Sequence, residues 1–149
     1  MVSMHWGIEY AHAPTEEQKR IANYLASLGV DIIIGHHPHV IQPIEFIGDT
    51  LVIYSLGNFI SAQIGLPRLI GMMVSLNIVK KVDNDQITIK IEDVKGDLIY
   101  TYYDNFKNFK VIPFSKLNNN LLKNYEKIKE EYIAIINNYD KTISVGIFK

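Results

Sequence analysis

The stretch "PTEEQKRIANYLASLGVDIIIGHHPHV" occupies residues 14–40, and its two periodicities decide the class of fold. Thr15, Glu16, Glu17 and Gln18 fit a capping box. Ile21, Leu25 and Leu28 form an apolar stripe at helical spacing, and Gly29 stands where a helix closes on a left-handed residue. The pattern then changes. "VDIIIG" is an apolar run of the kind found in strands covered on both faces. Upstream, Val2 to Trp6 in "MVSMHW" reads as a buried strand, and "GIEYAHA" is the loop that leaves it. Strand, helix and strand in about 35 residues predict a βαβ unit with a parallel strand pair. A strand that begins at residue 1 with no polar lead-in leads us to expect a chain without its upstream half.

Downstream of residue 40 the alternation turns antiparallel in character. "FIGDTLVIYSLGNF" predicts a hairpin around Gly48-Asp49 that leads into another buried strand. "RLIGMMVSLNIVKK", "QITIKIEDVKG" and "DLIYTYYD" read as three further strands, the first two joined at an Asp83-Asn84-Asp85 turn. A second helix is expected over about residues 118–138, with Leu121, Leu122, Tyr125, Ile128, Tyr132, Ile135 and Ile136 on one broad face. The expected fold is therefore α/β, an α+β sandwich. One βαβ unit in residues 1–60 carries the motifs, and residues 61–149 supply antiparallel strands and a C-terminal helix within a single partial domain.

Composition narrows the function classes. The chain has 149 residues, 48% of them hydrophobic and 21% charged, with a net charge of -1. No basic footprint exists for nucleic acid to recognise. Cysteine is absent, which removes disulfides, thiolate ligands and a Cys nucleophile. No apolar run is long enough to span a bilayer.

The five histidines all fall within the first 39 residues: His5, His12, His36, His37 and His39. In an extended segment His37 and His39 would point to one side and His36 to the other. Pro38 disfavours helix for His37. His5 ends the neighbouring parallel strand, so three imidazoles can meet at the C-terminal edge of the sheet, where open α/β sheets keep their sites. Neutral imidazoles suit Zn, Mn or Fe, with carboxylate or water completing the shell. His12, in the loop before the helix, reads as a surface residue. Trp6 reads as a packing residue and Arg68 as a solvated charge. Glu9, four positions after His5, is placed to orient a histidine or accept a proton. Gly57-Asn58 suits a tight turn, and Asn58 could equally hold a substrate oxygen. "YSLGN" lacks the glycine elbow of a serine hydrolase.

The words "HWGIEY", "Q...A..L...G.D..IGHHPHV.QPIE" and "YSLGNF", between His5 and Phe59, make this stretch resemble the CapA-type capsule-synthesis family. That resemblance implies a calcineurin-like metallophosphoesterase fold, of which this chain would be the C-terminal half, and an association with bacterial poly-γ-glutamate capsules. It implies His5, His37 and His39 as ligands of a divalent metal (Mn, Zn or Fe), with His36 as second choice. Glu9 and Asn58 would position the reactants. The implied activity is metal-dependent hydrolysis or transfer at a phosphoester or related bond, in the bacterial cell envelope outside the cytoplasm. Its partners would be the capsule polymer or its synthesis machinery. The alternative is a non-catalytic capsule-assembly or interaction protein that keeps the fold. The family's upstream Gly-Asp and Asn-Asn-His words have no counterpart here. We therefore expect these 149 residues to bind at most one ion loosely, to be a poor catalyst alone, and to cover the first strand by homo-oligomerisation or by an upstream half.

Overall fold

The computed structural model describes residues 1–84 and 86–146. Two sheets carry the architecture. The first has strand order β1-β2-β4-β3, built from β1 (Val2–His5), β2 (Ile32–His36), β3 (Ile44–Ile47) and β4 (Thr50–Ile53). β1 and β4 flank β2 in parallel, with His5 level with His36, and β3 closes the far edge antiparallel to β4. The Gly48-Asp49 hairpin forms as expected: Ile47 pairs with Thr50 across a two-residue turn, and Gly48 supplies a φ of 60°.

Helix α1 (Glu16–Ser27) connects β1 to β2. Its capping box is complete, with the Thr15 side chain accepting from the Gln18 backbone and the Gln18 side chain answering at the Thr15 backbone. Gly29 closes it at φ 79°. The buried positions of α1 are Gln18 and Ala22, with Ile21 and Leu25 packed beside them, whereas Leu28 is 62% exposed. Leu28 is the C-cap, so it has already left the stripe that its spacing suggested.

The second sheet is longer. After a single turn, α2 (Leu66–Leu69), come β5 (Ile70–Asp83), β6 (Gln86–Asp104) and β7 (Lys107–Pro113), in that order across the sheet. The two expected strands "QITIKIEDVKG" and "DLIYTYYD" are one 19-residue strand, β6, because β5 pairs with it on both sides of an irregularity at Ser75/Asn77. Gly96 does not break the strand; it is buried and meets Val74 in the register. Of the expected turn, Asp85 lies outside the described residues.

Helix α3 (Tyr125–Ile136) starts seven residues later than the sequence suggests. Asn118 Oδ1 accepts from the Asn120 and Leu121 backbones, and Asn119 Oδ1 accepts from that of Asn124. These side chains take donors that a helix would need, and Asn124 sits left-handed at φ 58°. Leu121, Leu122, Tyr125, Ile128, Tyr132, Ile135 and Ile136 nevertheless all face the core. A short strand, β8 (Ser144–Val145), pairs parallel to β6.

The first sheet is buried on both faces. Ile33, Val52 and Tyr54 pack with Trp6 and Ala22 under α1. Ile32, Leu51 and Ile53 pack against Ile70, Met72 and Leu98 of the second sheet and Tyr132 and Ile136 of α3. β1 differs from the buried strand its sequence implied. It is an edge strand, with Ser3 and His5 exposed and Val2 and Met4 half-buried.

The C-terminal ends of these strands are clamped at one point. The Trp6 indole donates to the Tyr54 carbonyl at 2.9 Å, crossing over Gly35. A methyl group at Gly35 would collide with both Tyr54 O and Trp6 Nε1. Gly35→Ala should therefore cost about 3 kcal/mol or more, since backbone stands in the way and cannot relax as a side chain would. A urea melt followed by circular dichroism checks this; a loss below 1 kcal/mol would mean that the clamp yields.

Candidate functional site

β2 ends at His36, and the chain leaves the extended conformation there. His37 has φ 100° and His39 has φ 60°. The same-side argument for a strand does not apply to them, because neither residue is in a strand. What brings them together is a folded turn held from both sides. The Trp6 amide donates to the His36 carbonyl at 3.1 Å, and the Tyr10 amide donates to the Pro38 carbonyl at 2.7 Å. Tyr10 is itself left-handed, at φ 66°.

The imidazoles of His5 and His37 are 4.5 Å apart between ring centroids, and those of His37 and His39 are 6.2 Å apart. His37 is thus the middle member of a contiguous group, half-buried like His39, while His5 is exposed. His36 is exposed and lines an apolar groove with Ile34, Leu56 and Met72. His12 is no surface residue. It is half-buried, bonded through Nδ1 to the Ile41 carbonyl at 2.8 Å and edge-on to Tyr132 of α3 at 5.5 Å. It fastens the loop to the rest of the molecule.

Asn58 settles the orientation of His39. Its Nδ2 donates to the Arg68 carbonyl and to Gln63 Oε1, each at 3.0 Å. A backbone carbonyl can only accept, so Nδ2 is assigned by that contact and Oδ1 faces His39 Nδ1 at 3.0 Å. Nδ1 must then carry the proton. In the neutral ring the lone pair of Nε2 then faces Glu9 Oε1, at 3.7 Å. Two acceptors facing each other are unfavourable unless a proton or a metal ion lies between them. Glu9 is half-exposed, its side chain 49% accessible.

The donors suit a divalent ion by type: imidazoles and a carboxylate, with no competing thiolate. Ligand bonds of about 2.0–2.2 Å from nitrogen and from oxygen fit within a 3.7 Å gap between Nε2 and Oε1. Among the described residues, however, no three His, Asp or Glu side chains are already gathered at the spacing a single ion needs. An ion bound here would need side-chain rotation at His5 and His37 to complete its shell.

Three supporting residues escaped the sequence reading. Gln18 and Gln42 are buried, and Gln18 Nε2 donates to Gln42 Oε1 at 2.8 Å. Gln42 Nε2 then donates to the Ala11 and Ala13 carbonyls, so the loop carrying Glu9 and Tyr10 is anchored to the turn after His39. Arg68, expected in solvent, is half-buried and lies 4.0 Å over the Tyr10 ring. Both glutamines stand in one quoted run, and Gln18 was legible as a capping residue, but nothing local showed that they would bond to each other or that Arg68 would be covered.

Residues 1–63 match the profile of the bacterial capsule synthesis protein family PGA_cap. Over this segment, which is less than half of the chain, the sequence is similar to that family. Over 63 residues it is 48% identical to the PGA biosynthesis protein CapA of Bacillus subtilis and 43% identical to the capsule biosynthesis protein CapA of Bacillus anthracis. Each match takes in 42% of this chain, but only 17% and 15% of those relatives, so the chain spans a small part of their length. No solved structure matches. The family segment holds every histidine together with Glu9, Gln18, Gln42 and Asn58; Arg68 lies beyond it.

The turn at His37 carries a cost that side-chain chemistry must justify. A non-glycine residue at φ 100° is strained, by about 1–3 kcal/mol. His37→Gly should therefore be more stable than His37→Ala by about 1 kcal/mol, since both lose the ring and only glycine relaxes the backbone. Paired thermal melts measure the difference; an alanine variant as stable as the glycine variant would remove the strain.

Proposed function

We propose that the edge formed by His5, His37, His39 and Glu9 is part of a divalent-metal site for hydrolysis or transfer at a phosphoester or related bond, used in making a capsule polymer. The observation that carries this reading is His39, fixed through Nδ1 by Asn58, with its Nε2 aimed at the Glu9 carboxylate at 3.7 Å. The protein invests an Asn side chain, two further acceptors and two left-handed histidines in that arrangement.

His39, Glu9 and His37 would hold the ion, with His5 as the mobile fourth donor. When bound, a divalent ion polarises a substrate oxygen and lowers the pKa of water. The chain's own part is to orient and to move protons. Asn58 fixes the His39 tautomer, which is the role outer-shell partners take in metal sites. Glu9, half in solvent, can exchange a proton with a reactant at Oε1. The capsule family of the matched segment supplies the biosynthetic setting, and its members' names point to a polymer substrate or its assembly machinery. A metallophosphoesterase-like sandwich, of which this chain would be one half, is the fold we infer for the whole.

A non-catalytic assembly role is the second reading, and one observation favours it. The loop after Asn58 exposes Phe59, Ile60 and Ile64, at 61%, 51% and 71%, beside the histidines. Such a cluster suits contact with another protein.

Calorimetric titration with Mn or Zn tests the metal reading. One ion per chain is expected, held loosely, with affinity falling on acidification as the imidazoles take up protons. The double variant His37→Ala/His39→Ala should lose binding and keep its circular dichroism spectrum, Glu9→Gln should bind about tenfold more weakly, and His12→Ala should bind normally. Turnover of a phosphodiester by these residues alone should stay near background. Two tightly held ions, or binding that survives the double substitution, would overturn the assignment.

A further inference from the structure

The chain has two arginines, and the structure treats them differently. Arg20 makes a two-pronged pair with Glu17 on the surface of α1, through Nε at 2.8 Å and Nη2 at 2.7 Å. Arg68 is half-buried, yet among the described residues no carboxylate lies within ion-pair distance of it. Its Nη1 donates to the Ile64 carbonyl, and its covered Nε has no acceptor among the described residues. A partly desolvated guanidinium with a neutral acceptor alone is an incomplete arrangement, because its charge remains uncompensated.

Both ends of Arg68 are nonetheless held, and both holds lead to His39. The Arg68 carbonyl is bound by Asn58, the residue that orients His39. The guanidinium carbon lies 4.0 Å over the centre of the Tyr10 ring, which is 6.1 Å from that of His39. Tyr10 in turn is pinned by its amide to Pro38, between His37 and His39. Contact with an aromatic face holds a guanidinium without using its N–H groups, so Nη2 and the second N–H of Nη1 remain for a two-pronged contact with an oxyanion.

We propose that Arg68, on its Tyr10 platform, is the oxyanion-binding residue of the histidine site, and that the substrate carries a phosphate or carboxylate group there. The proposal rests on the histidine edge being where substrate binds. It adds a specificity determinant that lies outside the segment matched to the capsule family. Phosphate and carboxylate offer the fork the same pair of oxygens. Which of the two binds tells a phosphoester substrate from an acidic polymer.

The test is calorimetric titration of the metal-free chain with inorganic phosphate and, separately, with glutarate, at constant ionic strength so that screening is unchanged. Saturable binding of at least one is expected. Arg68→Gln should weaken it at least tenfold. Arg68→Lys should weaken it less, keeping the charge and losing the fork, and Tyr10→Leu should also weaken it by removing the platform. Mn binding by Arg68→Gln should equal that of the unaltered chain. Wild-type protein that binds neither anion, or binding indifferent to Arg68→Gln and Arg68→Lys alike, would overturn the proposal. Anion binding intact in a chain that binds no metal would sink the metal reading and leave the Arg68 site standing.

Discussion

Asn58 has one amide and three partners, and the chemistry of the histidine edge depends on how it divides them. The Arg68 carbonyl and Gln63 Oε1 occupy its donors, so its oxygen must face His39. From that single constraint follows the proton on Nδ1, which leaves Nε2 to face Glu9 with a proton or a metal ion between them. Loss of the amide would free the ring to flip or to change tautomer, and the site would lose its direction without losing a ligand.

The scaffold beneath exists to keep that edge still. Parallel pairing of β1 with β2 sets His5 level with His36. The Trp6 indole, reaching over Gly35 to the Tyr54 carbonyl, locks the ends of β1, β2 and the segment after β4 to one another. The buried amides of Gln18 and Gln42 hold the loop between β1 and α1 against the turn that follows His39. His12 adds a contact with α3, through the edge of its ring on Tyr132. The family-matched first 63 residues are joined to the remainder by the shared apolar core, by Asn58 and by this histidine, which takes no part in the proposed site.

Much of this was legible in the residues. The capping box at Thr15, the apolar run of β2 and the Gly48-Asp49 turn each obey local rules, and each formed where those rules place it. The histidine group was legible as a concentration of one residue type, but its geometry was not. Spacing alone put His37 and His39 on one side of an extended strand; the structure reaches the same neighbourhood through two left-handed residues held by tertiary contacts. Continuity of β6 depends on β5 pairing along it, and the late start of α3 depends on asparagines competing for backbone donors, so neither follows from a hydrophobic pattern. Arg68 was read as solvated because nothing local showed that Tyr10, 58 positions earlier, would lie beneath it.

The most direct measurement is the tautomer of His39 in the metal-free protein. Long-range proton–nitrogen correlation spectra of the nitrogen-15-labelled chain report it, recorded at a pH where the ring is neutral. The structure predicts the Nδ1–H form, with Nε2 carrying the lone pair. An Nε2–H ring, with an unprotonated Nδ1 turned towards Asn58, would contradict the account, because it would point a hydrogen-bond donor at Glu9 and leave no nitrogen there to bind a metal.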